Sequence, residues 1–151
     1  MKISQLPDKH QAALKWFSER AGLVQPWPRS LDDGTLLATR AKGIYKPKWS
    51  EYALSIRETI DGPYSDKDPT TTPEGKWVYK YFQEGRSPLE RDYFFTNRGL
   101  VKCLQDQVPI GVMRQVQLKP TVMYRILGLG LISSWDEGYF YINEFRLVSD
   151  R

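Results

Sequence analysis

The stretch PIGVMRQVQLKPTVMYRILGLGLISSWDEGYFYINEF, residues 109–145, decides the fold. Aliphatic, β-branched and aromatic residues fill Pro109–Val116, Val122–Ser133 and Tyr139–Phe145, which read as three strands. Short turns such as Trp-Asp-Glu-Gly join them. Gly-Leu-Gly-Leu at 128–131 lies inside the second strand with no helix after it, so it is not a phosphate-binding loop.

Working outward, Asn97–Gln107 reads as a helix, with Leu100, Cys103 and Leu104 on one face and Asn97 as its N-cap. Gly34–Thr39, Tyr52–Thr59 and Lys76–Phe82 are strand-like. Residues 7–21, PDKHQAALKWFSERA, form a first helix: Pro7 and Asp8 suit its opening turn, and Ala13, Leu14, Phe17 and Ala21 recur at helical spacing before Gly22. The linker LVQPWPRSLDDG follows it. DGPYSDKDPTTTPEGK, residues 61–76, is the least regular stretch, and a loop of that length in a compact domain is more often functional or mobile than idle. About six strands and two helices, without regular alternation, predict an α+β fold: a mostly antiparallel, partly closed β-barrel. Residues 1–30 supply the first helix and linker and 31–151 the barrel, as one compact domain.

A chain of 151 residues, 40% hydrophobic and 13% aromatic, can bury a core without metal or disulfides. No apolar run has the length of a membrane span. The N-terminus lacks a secretory apolar segment, so a cytoplasmic protein is expected, and one cysteine, Cys103, suits a reducing compartment. One histidine, His10, leaves no local support for a Cys–His or Ser–His triad and too few ligands for zinc. No cofactor, metal or catalytic residue is expected. A competing pattern is a Mg²⁺ nuclease, with Asp66 or Asp68 ahead of Glu74-Gly75-Lys76. Against it, Glu74 lies in a turn between Pro73 and Gly75.

Net charge is +4, and its distribution says more than its sum. Arg40, Lys42, Lys46 and Lys48 form a basic cluster with no acid among them, which attracts phosphate or simply solvates a hairpin edge. Tyr45, Trp49, Tyr64, Trp77, Tyr79 and Tyr81 fall in the same region. Trp77 and Tyr79 suit a core. Tyr64 and Asp66, in Gly-Pro-Tyr-Ser-Asp, suit either a plain turn or a site where a ring stacks on an extruded base and a carboxylate accepts the cytosine amine.

GIYKPKW, ALSIRET, GPYSD, WVYKYFQEG, NRGLVKCLQDQVPIGVMRQV and MYRILGLGLI occur in an order that resembles one bacterial family. It is the domain found ahead of HNH nuclease domains in modification-dependent restriction endonucleases. The resemblance covers about residues 31–132 and extends, more weakly, to the SRA and PUA-like pseudo-barrels. It implies a reader of 5-methyl- or 5-hydroxymethylcytosine that flips the base from the duplex, in a restriction system acting against phage. It puts Tyr45, Lys46 and Pro47 at the family turn, and Tyr64 and Asp66 at the family loop. The base pocket would be Tyr64 and Asp66, completed by Tyr45, Trp49 or Trp77. Arg40, Lys42, Lys46 and Lys48, with Arg57, Lys80 and Arg98, would follow the DNA backbone. The implied partners are double-stranded DNA with modified bases and a nuclease domain or subunit, with no membrane. This chain departs from the family pattern in its threonine- and proline-rich segment after Asp66, in FQEGRSPLERDYF after Tyr81, and in lacking an HNH motif. The alternatives are an RNA-binding PUA- or ASCH-like module, the Mg²⁺ nuclease, and a protein-interaction role for the first helix and Trp27.

Overall fold

The computed structural model describes residues 3–40, 42–60, 69–82 and 91–147, with side chains in the second helix from Phe95 onward. After a 3-10 turn at Ile3–Gln5, helix α1 spans Asp8–Glu19. Asp8 lies in its first turn, where a carboxylate suits the positive end of the helix. His10, Ala13, Leu14 and Phe17 form its buried face. Helix α2 spans Arg91–Asp106, starting earlier than its sequence pattern predicts.

The described residues hold eight strands, in chain order: β1 Val24–Gln25, β2 Ile44–Tyr45, β3 Ser55–Glu58, β4 Thr70–Thr71, β5 Trp77–Phe82, β6 Ile110–Gln117, β7 Met123–Asp136 and β8 Tyr139–Phe145. They form one sheet in the order β2-β3-β6-β7-β8-β5-β4, with β1 paired to the first part of β7. All pairings are antiparallel except β3 with β6.

Two expectations need correction. The sheet is not closed into a barrel: β2 and β4 stand at its two ends and do not pair with each other among the described residues. Gly34–Thr39 is not a strand. A turn, with Gly34 N–H donating to the Leu31 carbonyl at 2.8 Å, leads instead to Leu37, whose carbonyl accepts the Ser55 hydroxyl at 2.7 Å. Leu37 and Ala38 are buried, so this segment packs on the sheet rather than extending it.

The sheet buries side chains on both faces. Ser55, Gly111 and Leu129 lie across from one another on β3, β6 and β7, and α1 covers that face. A Cβ at Gly111 would lie 2.3 Å from the Phe17 ring, so the helix rests directly on bare backbone. On the other face Ile132, Ile142 and Tyr79 lie in register, all at most 1% exposed. There Arg114 of β6 places its guanidinium 5.8 Å from the Tyr79 ring of β5. Three strand spacings separate β6 from β5, about 14 Å in a flat sheet, so the sheet curls towards itself on this side without closing. No helix among the described residues is long and apolar enough to cross a membrane.

Candidate nucleic-acid interface

Arg57 of β3 organises the basic edge. Its Nη2 donates to the carbonyls of Thr39, Arg40 and Lys42 at 3.2, 3.3 and 3.1 Å. One guanidinium thus fastens the loop carrying Arg40 and Lys42 to the sheet, and Arg57 N–H also donates to the Gly43 carbonyl at 2.7 Å. Arg40 and Lys48 are exposed. The Arg40 guanidinium lies over the Trp27 indole, 4.3 Å from its centre, and that of Arg57 approaches the same ring at 5.5 Å. Trp27 itself sits edge-on to Tyr124, at 5.4 Å between ring centres.

The other proposed backbone cations are dispersed. Lys46 turns inward, its Nζ donating to the carbonyls of Ser50 and Pro47. Its aliphatic stem lies against Gly99 of α2, where a Cβ would be 3.0 Å away. Arg98 is exposed on α2. Lys80, exposed on β5, lies over Tyr139 at 4.8 Å and Tyr141 at 5.4 Å. Register places it on the face opposite Tyr79, remote from the curled side.

Tyr64 and Asp66, the centre of the expected base pocket, lie outside the described residues, as does Asp68. The ends of their segment are placed. Ile60 N–H donates to Gln115 Oε1 at 3.0 Å, and Thr70 and Thr71 pair with Val78 and Trp77. The segment therefore leaves from β3, the strand that carries Arg57, and returns beside β5.

Tyr45 is half-buried on β2, and burial raises the pKa of its hydroxyl. Trp49 packs with α1, edge-on to His10 at 5.8 Å and beneath the Lys9 ammonium at 4.3 Å. Trp77 belongs to the curled side. Its indole N–H donates to the Leu127 carbonyl at 3.1 Å, and its ring would meet a Cβ at Gly130 at 3.0 Å. The structure thus brings Arg40, Arg57 and the Lys42 backbone together, and places Tyr45, Trp49 and Trp77 in separate surroundings.

Inside the curl lies a polar group that the sequence did not single out. Glu58 and Arg114 pair at 3.1 Å, with side chains only 10% and 17% exposed. Tyr79 lies beside them, and burial first, then the Glu58 carboxylate, raises the pKa of its hydroxyl. Glu58 and Arg114 face each other across the parallel β3–β6 pair, a juxtaposition invisible before the register is known.

For the alternative nuclease pattern, Glu74 is exposed in a turn closed by Gly75 N–H to the Thr72 carbonyl at 2.9 Å. Its own backbone N–H and the Thr72 side chain hold its carboxyl below the usual range. Among the described residues no three His, Cys, Asp or Glu side chains gather in a metal-binding group.

Trp27 is the component of this edge that the sequence reading did not assign to DNA. The signal was present in Pro26-Trp27-Pro28, where two prolines restrict the backbone on either side of one large ring.

No protein-family model matches this chain, and no curated protein matches it. Similar solved structures include a SUVH5 SRA–fully methylated CG DNA complex, at 16% identity over 87% of this chain and 96% of that one, TM-score 0.46. A SUVH5 SRA–methylated CHH DNA complex matches at 18% identity over the same shares, TM-score 0.44. KRYPTONITE in complex with mCHH DNA, H3(1-15) peptide and SAH matches at 16% identity, TM-score 0.49. That match covers 96% of this chain and 39% of the KRYPTONITE chain.

Proposed function

We propose that this chain binds double-stranded DNA and reads a modified cytosine, 5-methyl or 5-hydroxymethyl, by drawing the base out of the duplex. The observation that carries this reading is the built basic edge. Arg57 spends three hydrogen bonds holding the Arg40–Lys42 loop against β3, with Arg40 and Lys48 exposed to solvent. Phosphate contacts by such cations give affinity and salt sensitivity without base information.

Base information would come from the segment that leaves the same strand three residues later. Tyr64 would stack on the extruded base and Asp66 would accept its exocyclic amine, with Tyr45, Trp49 or Trp77 completing the wall. Unstacking costs a few kcal/mol, and aromatic stacking of about 1–3 kcal/mol per base, with edge hydrogen bonds, offsets it. An apolar wall would favour a methyl group and a polar one a hydroxymethyl group. Lys46, Lys80 and Arg98 would add charge away from this edge. Cleavage in a restriction system would reside in a nuclease domain or subunit apart from these residues.

The test is fluorescence anisotropy with one short duplex carrying cytosine, 5-methylcytosine or 5-hydroxymethylcytosine in turn, each at two salt concentrations. Tighter binding to a modified duplex is expected, with the preference lost in Tyr64→Ala and Asp66→Ala. Equal, salt-sensitive binding to all three would reduce the protein to a backbone binder. Absence of binding to any duplex would sink the proposal.

A further inference from the structure

We infer that Trp27 is a positioning residue for phosphate recognition: its indole presents the Arg40 guanidinium, with Arg57 behind it, to one phosphodiester of the DNA backbone. The inference rests on the DNA-binding reading above and adds to it a residue, a geometry and a stoichiometry of one phosphate.

Three observations support it. First, Arg40 meets the indole through its guanidinium at 4.3 Å, although the residue is otherwise exposed. A guanidinium held over a ring face by its central carbon still has its N–H fork at its outer edge to make two parallel bonds to phosphate oxygens. Second, Arg57 approaches the same ring at 5.5 Å, but its Nη2 is committed to three carbonyls and its Nε is buried without a hydrogen-bond partner. Arg57 therefore contributes charge and rigidity, and one of the carbonyls it holds is that of Arg40 itself. Third, Trp27 packs edge-on with Tyr124, only 4% exposed, and Pro26 and Pro28 restrict the backbone on either side of it.

Two like charges gathered at one aromatic ring repel each other, and a phosphate placed on the Arg40 fork relieves that repulsion. An exposed arginine ordinarily loses rotamer freedom when it binds. Here that ordering precedes binding, so less affinity is lost to it.

The experiment compares wild type with Arg40→Ala, Trp27→Leu, Trp27→Phe and the Arg40→Ala/Trp27→Leu double variant. Anisotropy against unmodified and methylated duplexes is read across a salt series, with thermal melting of each variant alongside. Leucine keeps apolar bulk against Tyr124 and removes the π face, whereas phenylalanine keeps one. Arg40→Ala and Trp27→Leu should each weaken binding to every duplex alike by about 3- to 10-fold and lower the salt slope by about one. The double variant should be no weaker than the single ones, and Trp27→Phe should retain most of the affinity. Wild-type affinity in a folded Trp27→Leu protein, or losses that multiply in the double variant, would overturn the positioning role alone. A wild-type protein that binds no duplex would remove the DNA reading and this inference together.

Discussion

The imidazole of His10 sits on the buried face of α1 between Trp49 and Tyr52, with ring centres 5.8 and 6.5 Å away. Neither ring nitrogen has a hydrogen-bond partner. Burial lowers its pKa from 6.5 to about 4. The folded value lies below the unfolded one, so the unfolded chain takes up a proton that the folded chain refuses. Stability is therefore intact above pH 6.5 and declines as pH falls towards 4. Between pH 6.5 and 5 this one residue should cost about 1.5 kcal/mol. Urea denaturation at the two pH values checks it: His10→Leu should flatten the dependence over that window, before most carboxylates titrate. The same accounting explains why the lone histidine is no candidate catalyst, since it is sealed beneath a helix. Cys103 is likewise sealed within the core, where burial pushes its thiol up and away from the reactive thiolate.

Among the elements, α1 and β6 depend on one missing side chain. Phe17 lies flat on Gly111, and an added methyl would meet three of its ring atoms at 2.3 to 2.5 Å. Gly111→Ala should cost about 2–3 kcal/mol by overpacking. Phe17→Leu in the same chain should return part of that loss, as equilibrium unfolding of the single and double variants would measure. Element type was largely legible in the sequence. β6, β7 and β8 are each at least seven residues of strand-forming side chains; the predicted bounds of β8 match the observed ones, and those of β6 and β7 differ by one to three residues. β1, β2 and β4 are two residues each, too short to carry a period. Residues 34–39 misled for a different reason. Leu37 and Ala38 are apolar because they pack on the sheet, and the Leu37 carbonyl finds Ser55 instead of a neighbouring strand. The basic cluster was visible as charge, but the division of labour within it was not. Whether a cation meets solvent, as Arg40 does, or turns back on carbonyls, as Lys46 does on those of Pro47 and Ser50, is set by the folded path of the loop and not by composition.

At the scale of the whole molecule, the curl of the sheet encloses charge. Glu58 and Arg114 bridge β3 and β6 at 3.1 Å, and Arg114 reaches Tyr79 of β5 across the concave side. Removing one partner of a buried pair strands the other. Arg114→Met should therefore cost about 3 kcal/mol, and the Glu58→Gln/Arg114→Met double variant less, as chemical denaturation would show. An apolar pair of similar volume holds strands as well as an ionic one, so what the pair adds is register: a slip of β3 along β6 would separate the charges. Sheet closure was overestimated from the sequence because strand count and pattern do not encode how far a sheet curls or whether its end strands meet. The one parallel strand pair among the described residues, β3 with β6, has a kinetic consequence. Hairpins such as β6–β7 and β7–β8 close over a handful of residues, whereas β3 can dock on β6 only after more than fifty intervening residues have been gathered in. That closure costs chain entropy before any pairing repays it. The C-terminal meander is thus placed to form early and serve as a template. The strand that anchors the basic edge is placed to arrive late, so a partly refolded chain would hold a formed core before it held that edge.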